Sequence, residues 1–256
     1  MSDWSVIIPT LNEEKTIGFL LSDLRAQIKP PREIIIVDAG SVDATEQVVK
    51  KHIAQVKKTM SIKFVKSKPP VGGQRTVGGK LAQFENICFL DADVRLQPNF
   101  FEKIAEFKQR HGLVTACPEY IPFRKAEQNS AHEVPAKLVK SSLHIRAVYA
   151  AFNLLFKLGQ DRYPSGAGSC IITTKAVAQK VGWFQEKYLS DDIAYIRHSA
   201  RYGFSMLPIK VYVSDRRWRK YGFFSTLFTY LKMSRAFMKN DFLNPKTYNY
   251  EFGKYE

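Results

Sequence analysis

The chain has 256 residues, 45% of them apolar, which is enough for a packed core and too apolar for a disordered chain. Its 39 basic and 24 acidic residues leave a charge of +15, so the partner is expected to be anionic: nucleic acid, acidic lipid headgroups or a phosphorylated small molecule. The three cysteines, Cys88, Cys117 and Cys170, lie in apolar, strand-like segments and read as buried reduced thiols. The histidines show no paired metal-ligand spacing.

The first 120 residues alternate strand and helix signals. Ser5-Val6-Ile7-Ile8-Pro9 reads as a buried strand. A turn at Thr10 to Asn12 leads to a helix expected from Glu13, with Ile17, Leu20, Leu21 and Leu24 on one face. Glu33 to Val37 is a second strand ending at Asp38, and a helix after Gly40-Ser41 is expected to carry Val42, Val48 and Val49. Ile62 to Val65 and Asn86 to Leu90 are further strands, the latter ending at Asp91, and Pro98-Asn99 opens another helix. From Lys125 to Ser142 the chain is polar and reads as an exposed loop, with a helix entering at Val134-Pro135. Ala147 to Phe156 fits a core helix, and Pro164 to Ser169 breaks the apolar run before a strand at Cys170 to Thr173. A helix is expected from Asp192 to Tyr202, ended by Gly203, and the tail from Arg216 is basic and aromatic.

This order predicts an α/β fold with a mostly parallel sheet and right-handed crossovers. Ligands in such sheets bind beyond the carboxyl ends of the strands. Thr10 and Asn12, Asp38, and Asp91 and Asp93 should therefore meet in one crevice. Two carboxylates one residue apart after a buried strand suit Mg²⁺ or Mn²⁺, which take hard oxygen ligands and leave positions open for phosphate. Taken alone, Asp91-Ala92-Asp93 is also compatible with an ordinary turn.

Pro9-Thr10-Leu11-Asn12-Glu13-Glu14, Ile35-Ile36-Val37-Asp38-Ala39-Gly40-Ser41-Val42-Asp43-Ala44-Thr45 and Phe89-Leu90-Asp91-Ala92-Asp93 resemble the family 2 glycosyltransferases. Gly72-Gly73-Gln74-Arg75, Val181-Gly182-Trp183-Phe184 and Ser190-Asp191-Asp192 continue the likeness in order, over roughly residues 4 to 215. The resemblance implies a GT-A-type, Rossmann-like sheet and inverting transfer from a UDP- or GDP-sugar to an acceptor hydroxyl, on a growing glycan or a lipid carrier. By the same resemblance Pro9, Thr10, Asn12 and Glu14 line the nucleotide pocket, and Asp38 accepts from the base edge. Arg75 supports the ribose or diphosphate, Asp91 sits near ribose and metal with Ala92 beside it, and Asp93 binds the metal. Asp192 is the general base and Asp191 orients the loop or meets the acceptor. Arg216, Arg217 and Trp218 belong to a segment that closes over the diphosphate as a lid. The chain departs from the family pattern at Ala39, Thr76, Asp191 and Trp183, where Asp, Asn, Glu and Gly are usual.

Direct displacement at an anomeric carbon needs one base for the acceptor hydroxyl and a cation for the leaving diphosphate. This differs from the two carboxylates of a glycoside hydrolase. Asp191 and Asp192 also suit a helix N-terminus, where the dipole favours negative charge. The aromatic segment from Phe223 to Met238, interleaved with Lys232, Arg235 and Lys239, fits either a helix packed on the domain or one lying in an anionic membrane interface. Two other readings have less support in the sequence. A sugar-nucleotide nucleotidyltransferase would need a glycine-rich phosphate loop after the first strand, where Thr10-Leu11-Asn12-Glu13-Glu14 stands instead. Nucleic-acid binding lacks any zinc-finger or RNP-type signature.

The expected organisation is a catalytic domain over 1–215 and a basic aromatic extension over 216–256. Within the domain, 1–120 binds the nucleotide-sugar and 121–215 the acceptor. With no basic-then-apolar leader at the N-terminus, and no apolar run near the ~20 residues that cross a bilayer, the expected location is cytoplasmic or peripheral on the cytoplasmic membrane face.

Overall fold

The structure, a computed structural model, describes residues 3–55, 60–112, 114–126, 138–185 and 191–238. The helix expected at Val134-Pro135 and the residue Ser190 lie outside them. β1 (Trp4–Thr10), β2 (Glu33–Asp38) and β4 (Asn86–Leu90) are buried along their whole lengths, as expected of strands covered on both faces. With β3 (Ser61–Lys66) they form a parallel block in the order β3-β2-β1-β4. The sheet continues through β8 (Cys170–Thr174), β6 (Thr115–Ala126), β9 (Phe204–Ser214) and β5 (Val94–Leu96), with β7 (Leu138–Lys140) paired to β6. β8, β5 and β7 run against the other strands.

This order forces the sheet to curl. β4 and β5 are four strand spacings apart in the order, about 19 Å if the sheet were flat. The chain from Leu90 to Val94 spans at most about 14 Å. The far edge must therefore bend back toward β4, and Asp91-Ala92-Asp93 is the short link that crosses the gap. Arg95 anchors this edge from β5: it forks onto Asp23 of α1 (Ile17–Arg25) at 2.6 and 2.8 Å, with both groups buried.

α1 begins at Ile17 rather than Glu13, because Glu13 O accepts the N–H groups of Thr16 and Ile17 in a preceding turn. α2 spans Thr45–Ala54 and excludes Val42, which is 91% exposed. α3 (Val71–Leu81) reads VGGQRTVGGKL, and its four glycines should disfavour a helix. It forms because the glycines let it lie directly on the sheet. A Cβ on Gly78 would come within 2.4 Å of Ile7 and 3.0 Å of Val37, and one on Gly79 within 2.3 Å of the Trp183 ring. α4 (Phe100–His111) follows Pro98-Asn99 as expected.

α5 (Leu143–Gly159) does not behave as a core helix, since Ile145 is the only one of its residues that is buried. α6 (Lys175–Val181) ends at Gly182, φ 80°, and Trp183 follows at φ 65°. A tryptophan in the left-handed region is rare; it occupies the position where the family pattern carries glycine, and its ring is seated on Gly79. α7 (Asp191–Ser199) leads through a 3₁₀ turn at Ala200–Tyr202 to Gly203. α8 (Arg216–Tyr221) and α9 (Phe223–Met238) close the described chain. Cys88, Cys117 and Cys170 are free and buried, and burial pushes the Cys117 thiol up to about 12.

Candidate active site

The carboxyl ends of β1, β2 and β4 open on one rim. Thr10 and Asp38 are register partners there, Pro9 lies buried beside them in β1, and Asp91 follows β4 directly. Gln74 of α3 binds the first two strands at this rim, donating to Thr10 O at 2.9 Å and Val37 O at 2.6 Å. Thr10 Oγ1 donates to Val37 O at 3.2 Å.

The loops after β1 and β2 are laced into one wall. Asn12, at φ 56°, donates its N–H to Ser41 Oγ and accepts the Val42 N–H at Oδ1, both at 2.9 Å. The Glu13 N–H donates to Thr45 Oγ1 at 2.8 Å and the Glu14 N–H to Asp43 at 3.1 Å. The Glu14 carboxylate accepts the Ala44 N–H at 2.9 Å, which ties it to this wall. Glu13 is the glutamate that reaches inward. Asp38 is also spent locally. It is fully buried; one oxygen accepts the N–H groups of Gly40 and Ser41 at 3.0 Å and pairs with Lys66 at 3.2 Å, and the other accepts the Ser41 hydroxyl. In this arrangement Asp38 shapes the turn and presents no free edge to a base.

Arg75 is the hub of the crevice. It is 3% exposed; its Nη2 donates to Asp91 Oδ1 at 2.9 Å and Gly168 O at 3.0 Å, and its Nη1 lies 3.4 Å from Asp191 Oδ2. Its plane lies 5.3 Å from the Phe184 ring centroid. Burial works against its charge, but Asp91, Asp191 and Asp192 outweigh it and raise its pKa. Asp191 is 5% exposed, and burial pushes its carboxyl up to about 7, against the pull of Arg75 and with the push of Asp192. Burial likewise raises Asp91, opposed by Arg75 and assisted by Asp93.

Asp192 is half-buried and faces outward more than Asp191. Its Oδ2 accepts the Gly168 N–H and its Oδ1 the Ile193 N–H, both at 2.8 Å. Two glycines make room for this acidic pair. A Cβ on Gly72 would sit 2.6 Å from Asp191 Oδ2, and one on Gly168 2.7 Å from Asp192 Oδ2 and 2.8 Å from Arg75 Nη2. Sequence reasoning took the Gly166-Ala167-Gly168 segment only as a helix break and assigned Gln74 and Gly72 no role. The signal for Gly72 and Gln74 was their place in the Gly72-Gly73-Gln74-Arg75 segment.

Across the crevice, Arg216 forks onto Glu13 at 2.6 and 2.9 Å and holds Asp93 Oδ2 at 3.0 Å. Burial raises the Glu13 carboxyl, Arg216 opposes this and Asp93 adds to it. Arg217 is partly buried on the same helix. Trp218 does not face the crevice: it is 3% exposed and packs against Tyr149, Phe223 and Tyr230. It anchors α8, and Arg216 is the residue of that helix that meets the acidic link.

The acidic link fits a divalent cation. Asp93 already holds the guanidinium of Arg216, and Asp91 commits Oδ1 to Arg75 while remaining one-third exposed. Among the described residues no group of three or more His, Cys, Asp or Glu side chains could hold a metal. Two hard carboxylates of this kind would leave the remaining positions of Mg²⁺ or Mn²⁺ to phosphate and water.

The sequence model described as glycosyl transferase family 2 matches residues 5–168, more than half of the chain. Poly(ribitol-phosphate) beta-N-acetylglucosaminyltransferase TarS of Staphylococcus aureus is 34% identical over 113 residues, covering 43% of this chain and 20% of TarS. Validoxylamine A glucosyltransferase of Streptomyces hygroscopicus subsp. limoneus is 30% identical over 105 residues, covering 39% and 22%. The chain thus spans about a fifth of the length of these curated relatives. A crystal structure of S. aureus TarS 1-349 in complex with UDP shares the fold with a TM-score of 0.60 at 20% identity, covering 83% of this chain and 60% of that one. The mannosyltransferase PcManGT from Pyrobaculum calidifontis, solved with GDP-Man and Mn²⁺, gives 0.62 at 14% identity, covering 93% and 68%. The curled, mostly parallel sheet is therefore of the GT-A type.

Proposed function

The chain belongs to glycosyl transferase family 2, and from that premise we propose that it moves a sugar from a UDP- or GDP-sugar to an acceptor hydroxyl with inversion. The observation that carries this reading is Arg75, which joins the acidic link after β4 to the acid pair of α7 in one buried cluster. Donor and acceptor chemistry thereby share one crevice.

Asp192 is the base. It takes the proton of the acceptor hydroxyl as that oxygen attacks the anomeric carbon from one face. The bond from the anomeric carbon to the diphosphate oxygen breaks on the other face, and the electron pair leaves with the nucleoside diphosphate. One base suffices, because the leaving group is stabilised by positive charge and not by an acid. Asp91 and Asp93 would hold a divalent metal, which would supply charge neutralisation at the diphosphate. Asp191 is buried against Arg75 and Gly72, so it positions the start of α7. Arg216 turns from Glu13 and Asp93 to the diphosphate when the donor arrives and closes the crevice to water. The acceptor is a glycan or lipid-carrier hydroxyl, and the protein works on the cytoplasmic side, at the membrane surface when the acceptor is lipid-borne. Residues 1–120 serve the donor, 121–215 the acceptor, and the extension from 216 the lid.

Thermal shift with a panel of UDP-, GDP- and dTDP-sugars and Mn²⁺ tests the donor half. Stabilisation that needs metal and disappears in Asp93→Ala is expected; no response to any donor refutes the reading.

A further inference from the structure

α5 has a usual inner face and an unusual outer one. Inward, Ile145, Tyr149 and Phe156 pack on the core, and the Asn153 amide exchanges hydrogen bonds with the Tyr120 backbone at 3.0 and 2.9 Å. The opposite face of such a helix is normally polar. Here Leu143, Ala147, Ala151, Leu154 and Leu158 recur at steps of four and three and are all exposed, the leucines at 77%, 56% and 74%. This is an apolar line about 22 Å long. α9 repeats the pattern with Phe224, Phe228 and Leu231, exposed at 72%, 67% and 50%. The two helices touch through Phe152 and Tyr230, and through His144 and Phe223.

The charge around these lines has one sign. Leaving aside Arg216, which turns into the crevice, and Arg219, which pairs with Asp215, α5, α8 and α9 carry six Lys and Arg residues and no Asp or Glu. A second copy of the chain meeting this face would set those positive charges against themselves, since a two-fold contact pairs the same patch with itself. No helix among the described residues is long and apolar enough to cross a membrane. Apolar lines bordered by basic residues suit a surface with hydrocarbon beneath anionic headgroups.

We propose that the outer faces of α5 and α9 form a platform that seats the protein flat on an anionic bilayer. α8 connects the platform to the crevice, running from Arg216 at Asp93 to the start of α9. The crevice therefore opens beside the bilayer surface. Resting on the proposed transfer reaction, the acceptor it would meet there is a hydroxyl on a lipid-linked headgroup.

Vesicle flotation tests the platform and needs neither donor nor acceptor, so its failure is separate from failure of the transfer reading. Wild-type protein is floated with phosphatidylcholine vesicles and with vesicles of phosphatidylcholine and phosphatidylglycerol. We expect at least about tenfold more bound protein on the anionic vesicles, falling as salt is raised. The double variant Leu154→Glu/Leu158→Glu should lose that binding by about tenfold while keeping the wild-type melting temperature and donor response. The platform is refuted if wild-type protein stays unbound on anionic vesicles, binds both kinds equally, or floats as well after the double substitution. Light scattering supplies the other arm: a dimer that the double variant splits into monomers would assign the face to a second copy.

Discussion

Gly168→Ala probes the proposed base, Asp192, through the backbone neighbour that donates to its carboxylate. The added Cβ would lie 2.7 Å from Asp192 Oδ2, 3.1 Å from Asp192 Cβ and 2.8 Å from Arg75 Nη2. Ordinary contact begins near 3.4 Å, so the Asp192 oxygen must retreat by about 0.7 Å. Arg75 cannot yield easily, because Asp91, Asp191 and Gly168 O all hold it. Rotation of Asp192 alone does not relieve the contact at its own Cβ. Overpacking of this kind costs about 1–3 kcal/mol of stability. A displacement approaching 1 Å at a reacting group costs about a hundredfold in turnover. The assay is steady-state transfer with saturating donor, alongside a melting curve and a donor titration. We expect kcat to fall by about a hundredfold with donor affinity little changed. Ile104→Ala supplies the control: this fully buried side chain of α4 lies outside the crevice, and its truncation should cost about 2–5 kcal/mol and leave kcat near wild type. A Gly168→Ala enzyme that keeps wild-type kcat refutes the placement of Asp192 at the acceptor.

Two further outcomes follow from the same geometry. Asp191 is raised from 3.8 to about 7, so below pH ~4 it is protonated in both folded and unfolded chains and carries no penalty. Between pH ~4 and ~7 the unfolded chain loses that proton first, and stability falls by about 4 kcal/mol in all; urea titrations across this range should show the decline in wild type and a flatter profile in Asp191→Asn, and identical profiles would contradict it. Gly78→Ala should destabilise the fold by about 1–3 kcal/mol in the same titrations, because its Cβ would meet Ile7 and Val37 at 2.4 and 3.0 Å inside the sheet contact; a stabilised variant would refute the account of α3.

Much of the parallel block was legible because its signals are local. The apolar runs of β1, β2 and β4 mark buried strands, and the acidic link follows the last of them directly. α3 was not legible, since VGGQRTVGGKL argues against a helix until Ile7, Val37, Asp191 and Trp183 are known to press on its glycines. The pairing of Glu13 with Arg216 joins residues 203 positions apart, and no local pattern reports it. The family resemblance placed Trp218 in the closing segment with Arg216, and a motif locates a helix without saying which of its side chains packs inward, as Trp218 does. The outer face of α5 was hidden for a related reason: an apolar run reads as core until the sheet shows which side it covers. The curl of the sheet rests on pairing between β5 and β9, a contact that a three-residue strand does not advertise.

The role proposed for Asp192 is to accept the acceptor proton in a donor-loaded crevice. The most direct measurement is release of nucleoside diphosphate from the stabilising nucleotide-sugar, with acceptor present, by wild type and by Asp192→Asn. The account predicts turnover in wild type, donor binding within a few-fold in the variant and turnover lowered by about a thousandfold or more. Turnover in Asp192→Asn close to wild type would contradict it.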